Sequence, residues 1–498
     1  MKNLLPPADI RRINLIEYLY FYGNTVKRND ALEVLSSKES NLRSDIEVIN
    51  SQCNDLLHIS LNGDFIRLKF RKNANIAMFY ENILQNLLPF NLVEYIFFNK
   101  DIDINDASCY LYTSSSTIYR IINKFNKVAI KRFNISINKS TMEFEGKEMD
   151  IRSFFIQLFS EEYNYAQWPY KNVDRENLYE FLNKIYDYLG FKANYSDLEV
   201  LASMVAVNIE RYKKGYKVEK IQINETAKSI LNKFDNDLKI KEELKPYEDK
   251  LGIEFNKEAL YNLFYIYLHK DFVYSFSYLL NNKITNSDMS FSTSNILRIV
   301  YKLFLKYHIE MPNLGELIVR VHNAKILYNT TVNSNYIIYN RNLFYIKNMG
   351  LKFPTLLDDI QSAFSEYLNI IEGKVNLNEL YYIMYIFITN WINLIPEYSK
   401  NMKKIKVLIL SKSNYQHSES IKAQLDFYFG YVLETELYKE NKLDLKKIEE
   451  SDYKLILADF VLPREFKKKY IYVNANQSFN DFMMLSKEIN NIFLDKSC

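Results

Sequence analysis

The sequence predicts a multi-domain, mainly helical protein that ends in a small α/β domain. Gly is only 10 and Pro only 9 of 498 residues, too few for a turn-rich all-β chain or a Gly-rich nucleotide-binding enzyme. Apolar residues recur at helical spacing over most of the chain. After Met402 the pattern changes to short apolar runs alternating with helices. A length of 498 residues corresponds to about three domains at roughly 150 residues each.

Composition narrows the function classes. Hydrophobic residues make up 48% and charged residues 25%, which is globular and not disordered. Lys+Arg 64 against Asp+Glu 61 leaves a net +3, so any nucleic-acid surface must be local. Cys53, Cys109 and Cys498 form neither a disulfide framework nor a CxxC zinc pattern, which fits a reducing cytoplasm. The opening MKNLLPPADIRR lacks the apolar core of a signal peptide. The longest uncharged apolar stretch, Leu380–Ile395, is 16 residues long and stops at Pro396, whereas a membrane span needs roughly 20. It reads as a buried helix, and no membrane partner is expected.

Residues 8–72 read as a winged helix-turn-helix. Asp9 caps a helix that runs through Tyr22 and ends at Gly23. A short helix follows at Arg28–Leu35, and a third begins near Ser37 with Leu42, Ile46 and Ile49 on one face. Asn62-Gly63, between alternating apolar residues, signals a hairpin. Residues 76–146 repeat this outline, in architecture and not in sequence. Helices are expected at Ile76–Leu88, Leu92–Phe98, Asp103–Tyr112 and from Ser114 or Ser115 to about Lys127, then strands at Phe133–Ile137 and Thr141–Phe144.

Residues 150–282 and 290–398 read as two helical domains. Leu178, Phe181, Leu182, Ile185, Tyr188 and Leu189 make one apolar face, and the polar run Asn281–Ser294 is the expected linker. In residues 403–498, strands are expected at Lys406–Leu410, Val432–Glu436, Leu455–Asp459 and Tyr470–Val473, with helices at Ser418–Tyr428 and Phe479–Phe493.

The sharpest local signal is Thr113–Ser140. It holds Arg120, Lys124, Lys127, Lys131, Arg132 and Lys139, six positive charges and no acid. Ser114, Ser115, Ser116, Thr117, Tyr119 and Arg120 fall on the first turns of the expected recognition helix, where base edges are read. Lys and Arg further along suit phosphates of double-stranded DNA. A solvated basic face is the plain alternative. The first turn holds no Asn or Gln for adenine, so discrimination by DNA shape is expected. In the first unit, Arg43 lies where charges cancel, and Arg67 and Lys69 lie on a hairpin that fits both a DNA-touching wing and edge protection by charge.

The five histidines, His58, His269, His308, His322 and His417, show no zinc-ligand spacing. GxSxG, Walker A, HExxH and GxGxxG are absent from the sequence. No metal, cofactor or enzymatic activity is expected.

The order of these parts resembles the Mga/AtxA-like family of bacterial transcriptional regulators. TSSSTIYRIINKFN, Thr113–Asn126, resembles the Mga-type recognition segment, and SKESNLRSDIEVIN, Ser37–Asn50, resembles its equivalent in the first unit. The resemblance implies two phosphotransferase-regulation domains at 150–282 and 290–398 and an enzyme IIB-like domain at 403–498. It implies a cytoplasmic DNA-binding regulator, an activator, dimeric through the C-terminal domain and tuned by the phosphocarrier protein of sugar uptake. An RNA-binding antiterminator is the alternative, since such proteins share the regulation domains. In the first regulation domain, Leu201–Arg211 matches the family pattern with Met204 in the histidine slot. The phosphorylation candidates are then His322 and, more loosely, His269. The phosphocysteine of catalytic IIB relatives has no counterpart in Ser411–His417.

Overall fold

The structure is a computed structural model. It describes residues 1–22, 24–189, 194–282, 287–328, 330–332, 334–401, 404–473, 484–486, 488–489 and 492. The expected terminator Gly23 and the terminal Cys498 lie outside the described residues, as does most of the expected helix Phe479–Phe493. The chain divides into two compact units, Met1–Val273 with Asn323–Leu343, and Tyr274–His322 with Phe344–Cys498.

The first winged module contains α1 (Pro7–Phe21), β1 (Thr25–Lys27), α2 (Arg28–Val34), α3 (Glu39–Gln52), β2 (Leu57–Asn62) and β3 (Phe65–Phe70). α1 begins at Pro7 and not at an Asp9 cap; Pro suits the first helical position, and Asp9 pairs with Arg12. α3 begins at Glu39, two residues later than expected. β1, too short to show alternation, joins β3 and gives an antiparallel sheet of order β1-β3-β2. Asn62 pairs with Phe65, so Gly63 and Asp64 form the turn, with Gly63 left-handed at φ 58. Buried Asp45 on α3 accepts from Arg11 and Arg12 and ties α1 down.

The second module contains α4 (Ile76–Asn86), α5 (Leu88–Phe98), α6 (Ile104–Tyr110), α7 (Ser115–Phe133), β4 (Ser136–Ile137) and β5 (Phe144–Glu145). α7 outruns its expected end at Lys127 because Phe125, Ala129 and Phe133 continue one buried face. Asn134, left-handed at φ 55, ends it and shortens the expected strand Phe133–Ile137 to two residues. Both modules fix the hairpin to the preceding helix with an asparagine. Asn50 donates to Ile59 O at 2.8 Å and accepts from Ile59 N at 2.7 Å. Asn126 does the same with Ile137 at 2.9 and 2.8 Å.

α8 (Glu148–Glu162), α9 (Arg175–Leu189), α10 (Tyr195–Lys213), α11 (Glu225–Asn236), α12 (Leu238–Leu251) and α13 (Lys257–Phe264) complete most of the first unit. Leu178, Phe181, Leu182 and Ile185 are buried on α9 as expected. The core also holds charge. Glu148 accepts from Arg211 at 2.9 and 2.7 Å and from Arg152 at 2.8 Å. At the last turn of α8, Glu162 is buried with neither carboxylate oxygen hydrogen-bonded, and Tyr163 beside it donates to Glu94 at 2.5 Å.

α14 (Phe276–Asn282), α15 (Ser287–Tyr307), α16 (Leu314–Leu327), α17 (Arg341–Lys352), α18 (Pro354–Glu372), α19 (Leu377–Asn390) and α20 (Leu394–Asn401) follow. The expected linker is mostly helix: only residues 283–286 of it lie outside the described residues, and Thr293 satisfies its hydroxyl on Met289 O at 2.8 Å. The apolar stretch at Leu380–Ile395 splits at Trp391–Asn393, where Asn393 has φ 65, and Pro396 lies in the first turn of α20. The division between units falls inside α16 and α17. Residues 334–340 form a strap on the first unit. Fully buried Glu161 accepts from the N–H groups of Ile337, Ile338 and Tyr339, the last two at 3.0 and 2.9 Å. Gln157 donates to Thr331 O at 2.5 Å and accepts from Asn335 N at 3.2 Å.

The C-terminal residues form β6 (Ile405–Leu410), α21 (Tyr415–Phe429), β7 (Leu433–Leu437), α22 (Leu445–Glu450), β8 (Leu455–Ala458) and β9 (Tyr470–Tyr472). The sheet is parallel throughout, in the order β7-β6-β8-β9.

Candidate nucleic-acid interface

The site is built on the turn between α6 and α7. Asp103 caps α6 in a reciprocal box with Asp106. The chain then turns through Tyr112, left-handed at φ 49 and 98% exposed, into α7. Ser114 caps α7 by accepting from Thr117 N at 3.3 Å, and its hydroxyl lies 2.9 Å from Ser116 Oγ and 3.0 Å from Thr117 Oγ1. Ser115 faces inward, 3.2 Å from Ser108 Oγ and 3.5 Å from Asn105 Oδ1. Of the expected first-turn set, Ser116, Tyr119 and Arg120 point outward.

α7 is sharply two-sided. Ile118, Ile121, Ile122, Phe125, Ala129 and Phe133 are buried. Ser116, Arg120, Asn123, Lys127 and Lys131 follow one another at steps of three or four and are all exposed. At 1.5 Å per residue this stripe runs about 22 Å. Among the described residues, Arg120, Lys127 and Lys131 pair with no carboxylate. Lys139 is exposed in the loop between β4 and β5.

Two of the expected contact residues, exposed Lys124 and half-buried Arg132, also bond carbonyls distant in sequence. Lys124 donates to Leu4 O at 2.7 Å and Leu5 O at 3.2 Å, capping the Lys2–Leu4 turn. Arg132 donates to Tyr336 O at 2.5 Å and Ile337 O at 3.2 Å, with its guanidinium 4.0 Å from the Tyr336 ring centre. Both cations of the expected set are thus also ties within the fold. Helical spacing alone does not separate them from their neighbours, because their carbonyl partners are far away in sequence.

The first module offers less. Arg43 is held by Glu39 at 2.8 Å. Arg67 reaches Thr25 Oγ1 at 3.5 Å, and Lys69 is exposed beside it on β3. The two remain a small cationic pair on the hairpin.

His322 is 5% exposed, its Nδ1 2.9 Å from Ser292 Oγ, which lies 2.8 Å from Tyr367 OH. A phosphoryl acceptor needs an accessible ring, and the His322 ring is buried against Ser292. His269 is half-buried and its Nδ1 accepts from Asp271 N at 3.3 Å. Burial holds its pKa below the ordinary value, against the pull of Asp271. Met204, in the histidine slot, is fully buried.

The loop after β6 has its donors engaged. Ser411 Oγ donates to Asp459 at 2.6 Å, Lys412 N at 2.9 Å and Ser413 Oγ at 3.3 Å. Buried Asp459 thus fills the place where a bound anion would meet these groups. Among the described residues no three His, Cys, Asp or Glu side chains cluster as a metal requires, and no helix is long and apolar enough to cross a membrane.

Comparison with known proteins agrees with this geometry. The profile described as the Mga helix-turn-helix domain matches residues 72–159, which hold α4 to α7 and the hairpin. The profile described as the M protein trans-acting positive regulator (MGA) PRD domain matches residues 174–394. A provisionally named trans-acting regulator of Streptococcus pneumoniae serotype 4 is 28% identical over 477 residues, covering 95% of this chain and 96% of that one. The anthrax toxin expression trans-acting positive regulator of Bacillus anthracis is 21% identical over 472 residues, covering 91% and 92%. The capsule synthesis positive regulator AcpA of the same organism is 24% identical over 265 residues, covering 53% and 51%. With both domain profiles falling in that order on the helices described above, and with relatives of the same kind aligned along nearly the whole length, the chain belongs to the Mga/AtxA-like family of trans-acting positive regulators.

Proposed function

We propose that this protein is a DNA-binding transcriptional activator that grips duplex DNA with its second winged module. The observation that carries the reading is the exposed stripe of Arg120, Lys127 and Lys131 on the helix that the turn at Tyr112 presents. The hairpin cations Arg67 and Lys69 add a weaker contact from the first module. The test is the double variant Arg120→Ala, Lys127→Ala in the full chain. Each lost phosphate contact lowers the slope of log affinity against log salt by about 0.9, so both affinity and slope fall. Unchanged affinity and slope would refute the assignment.

The C-terminal α/β domain serves self-association in this reading. Phe427, Tyr428 and Tyr431 are exposed at one end of α21 and just beyond it, and Asp459 occupies the loop where phosphoryl chemistry would need room. A chain ending near Tyr398 is then mostly monomeric by light scattering, and a fully dimeric product places the contact elsewhere. Of the two histidines, His269 is the one a phosphocarrier can reach.

A further inference from the structure

The two asparagine clamps put the winged modules in register. Asn50 and Asn126 are 76 residues apart, and so are the helix caps Lys38 and Ser114. The buried faces correspond under the same shift: Leu42 with Ile118, Ile46 with Ile122, Ile49 with Phe125. The outward stripes can therefore be compared position by position. In α7 the stripe is Ser116, Arg120, Asn123 and Lys127; in α3 it is Ser40, Ser44, Glu47 and Ser51, all eight exposed. Where α7 has cations, α3 has serines. Where α7 has Asn123, α3 has an acid.

Asn123 is also unlike the other asparagine near it. Asn126 spends both ends of its amide on Ile137, whereas Asn123 has no partner among the described residues. It stands between Arg120 and Lys127, about 4.5 and 6 Å from them along the helix axis. Long cationic side chains reach the phosphates that flank a groove. A short amide between them meets the groove floor, where Oδ1 can accept from adenine N6–H and Nδ2 can donate to N7. We propose that Asn123 reads an adenine edge in the major groove, and that the first module, with Glu47 at the matching place, reads no base with α3. The proposal rests on α7 being the DNA-facing helix. It adds one base contact to the shape-led discrimination expected from the first turn.

The experiment is selection of binding sites from a random duplex pool by the full-length wild type, Asn123→Ala and Glu47→Ala. The wild type enriches sites with one position restricted to A·T. Asn123→Ala loses discrimination at that position by about 10- to 100-fold and keeps the salt slope, because no phosphate contact is lost. Glu47→Ala keeps the wild-type preference. Asn123→Asp keeps the shape but not the amide donor, and loses the same position, which guards against a folding defect in the alanine variant. An asparagine that is merely solvated leaves every position unchanged in both variants, and that result overturns the proposal. A wild type that retains no duplex at all overturns it by a different route, through the reading of α7 itself.

Discussion

The guanidinium of Arg132 stacks on the ring of Tyr336 and donates to that residue's own carbonyl, so the far end of α7 is held by a segment 204 residues further on. Removing the cation leaves two carbonyls unmet and an aromatic face uncovered. Arg132→Ala costs about 2 kcal/mol of stability, read as a lower urea midpoint. The salt slope of DNA binding stays at the wild-type value. A reduced slope would return Arg132 to the phosphate contacts.

Glu148 gives a prediction in acid. Burial favours its neutral form, but the hydrogen bonds and charge of Arg211, helped by Arg152, outweigh burial and hold the carboxyl below its ordinary value. A carboxyl lowered in the fold adds stability that is present above its unfolded pKa and lost as pH falls through the folded one. Glu148→Gln costs about 3–5 kcal/mol near neutral pH because two buried cations lose their partner. The gap to wild type narrows in urea titrations below about pH 4.

Glu162 behaves in the opposite sense. Burial first, and the charge of Glu94 second, push its carboxyl well above the ordinary range. An acid raised in the fold keeps a proton that the unfolded chain releases, so stability falls as pH rises above the unfolded pKa of about 4.5. Replacement by an apolar residue of similar size removes that penalty. Glu162→Leu raises the melting temperature, and the gain at pH 8 exceeds the gain at pH 5. A gain independent of pH, or a loss at both, would count against a neutral Glu162.

The thiols differ in the same measurable way. Cys53 is buried, and burial pushes its pKa up to about 11, while Cys109 is exposed on α6. Iodoacetamide at pH 8 therefore modifies Cys109 and spares Cys53 in the native protein, with peptide mapping as the readout. Equal labelling of both would mean that the first module opens readily.

His322 should resist phosphorylation by the phosphocarrier relay, since Ser292 and the core close around it. Its replacement by Ala costs about 2 kcal/mol through lost packing and a lost hydrogen bond. Phosphopeptide mapping that finds the group on His322 would require this part of the fold to open.

Periodicity made the helical faces legible, along with the parallel strands and the stripe on α7, because local repeats announce which side is buried. It did not reach features decided by distant partners. Lys124 and Arg132 share the spacing of their cationic neighbours, and their bonds to the carbonyls of Leu4, Leu5, Tyr336 and Ile337 could not be read from it. β1 is three residues long and exists because β3 offers it an edge. Asn123 lay in plain view but beyond the helix turn on which base reading was sought. The role proposed for Asn123 rests on matching the two modules at Asn50 and Asn126, whose bonds to Ile59 and Ile137 spacing does not show.

The strap at 334–340 bears on how such a protein can be taken apart, by a protease at the bench or by recombination of its gene. A fragment ending near residue 282 keeps both winged modules and loses the strap. Glu161 and Gln157 then face nothing where Ile337, Ile338, Tyr339, Thr331 and Asn335 stood, and Arg132 is left over a missing ring. The pair of winged modules is therefore not a portable cassette. A functional exchange of heads between two such regulators has to carry a short, distant piece of the sequence along with it, and inheritance at the two places is tied.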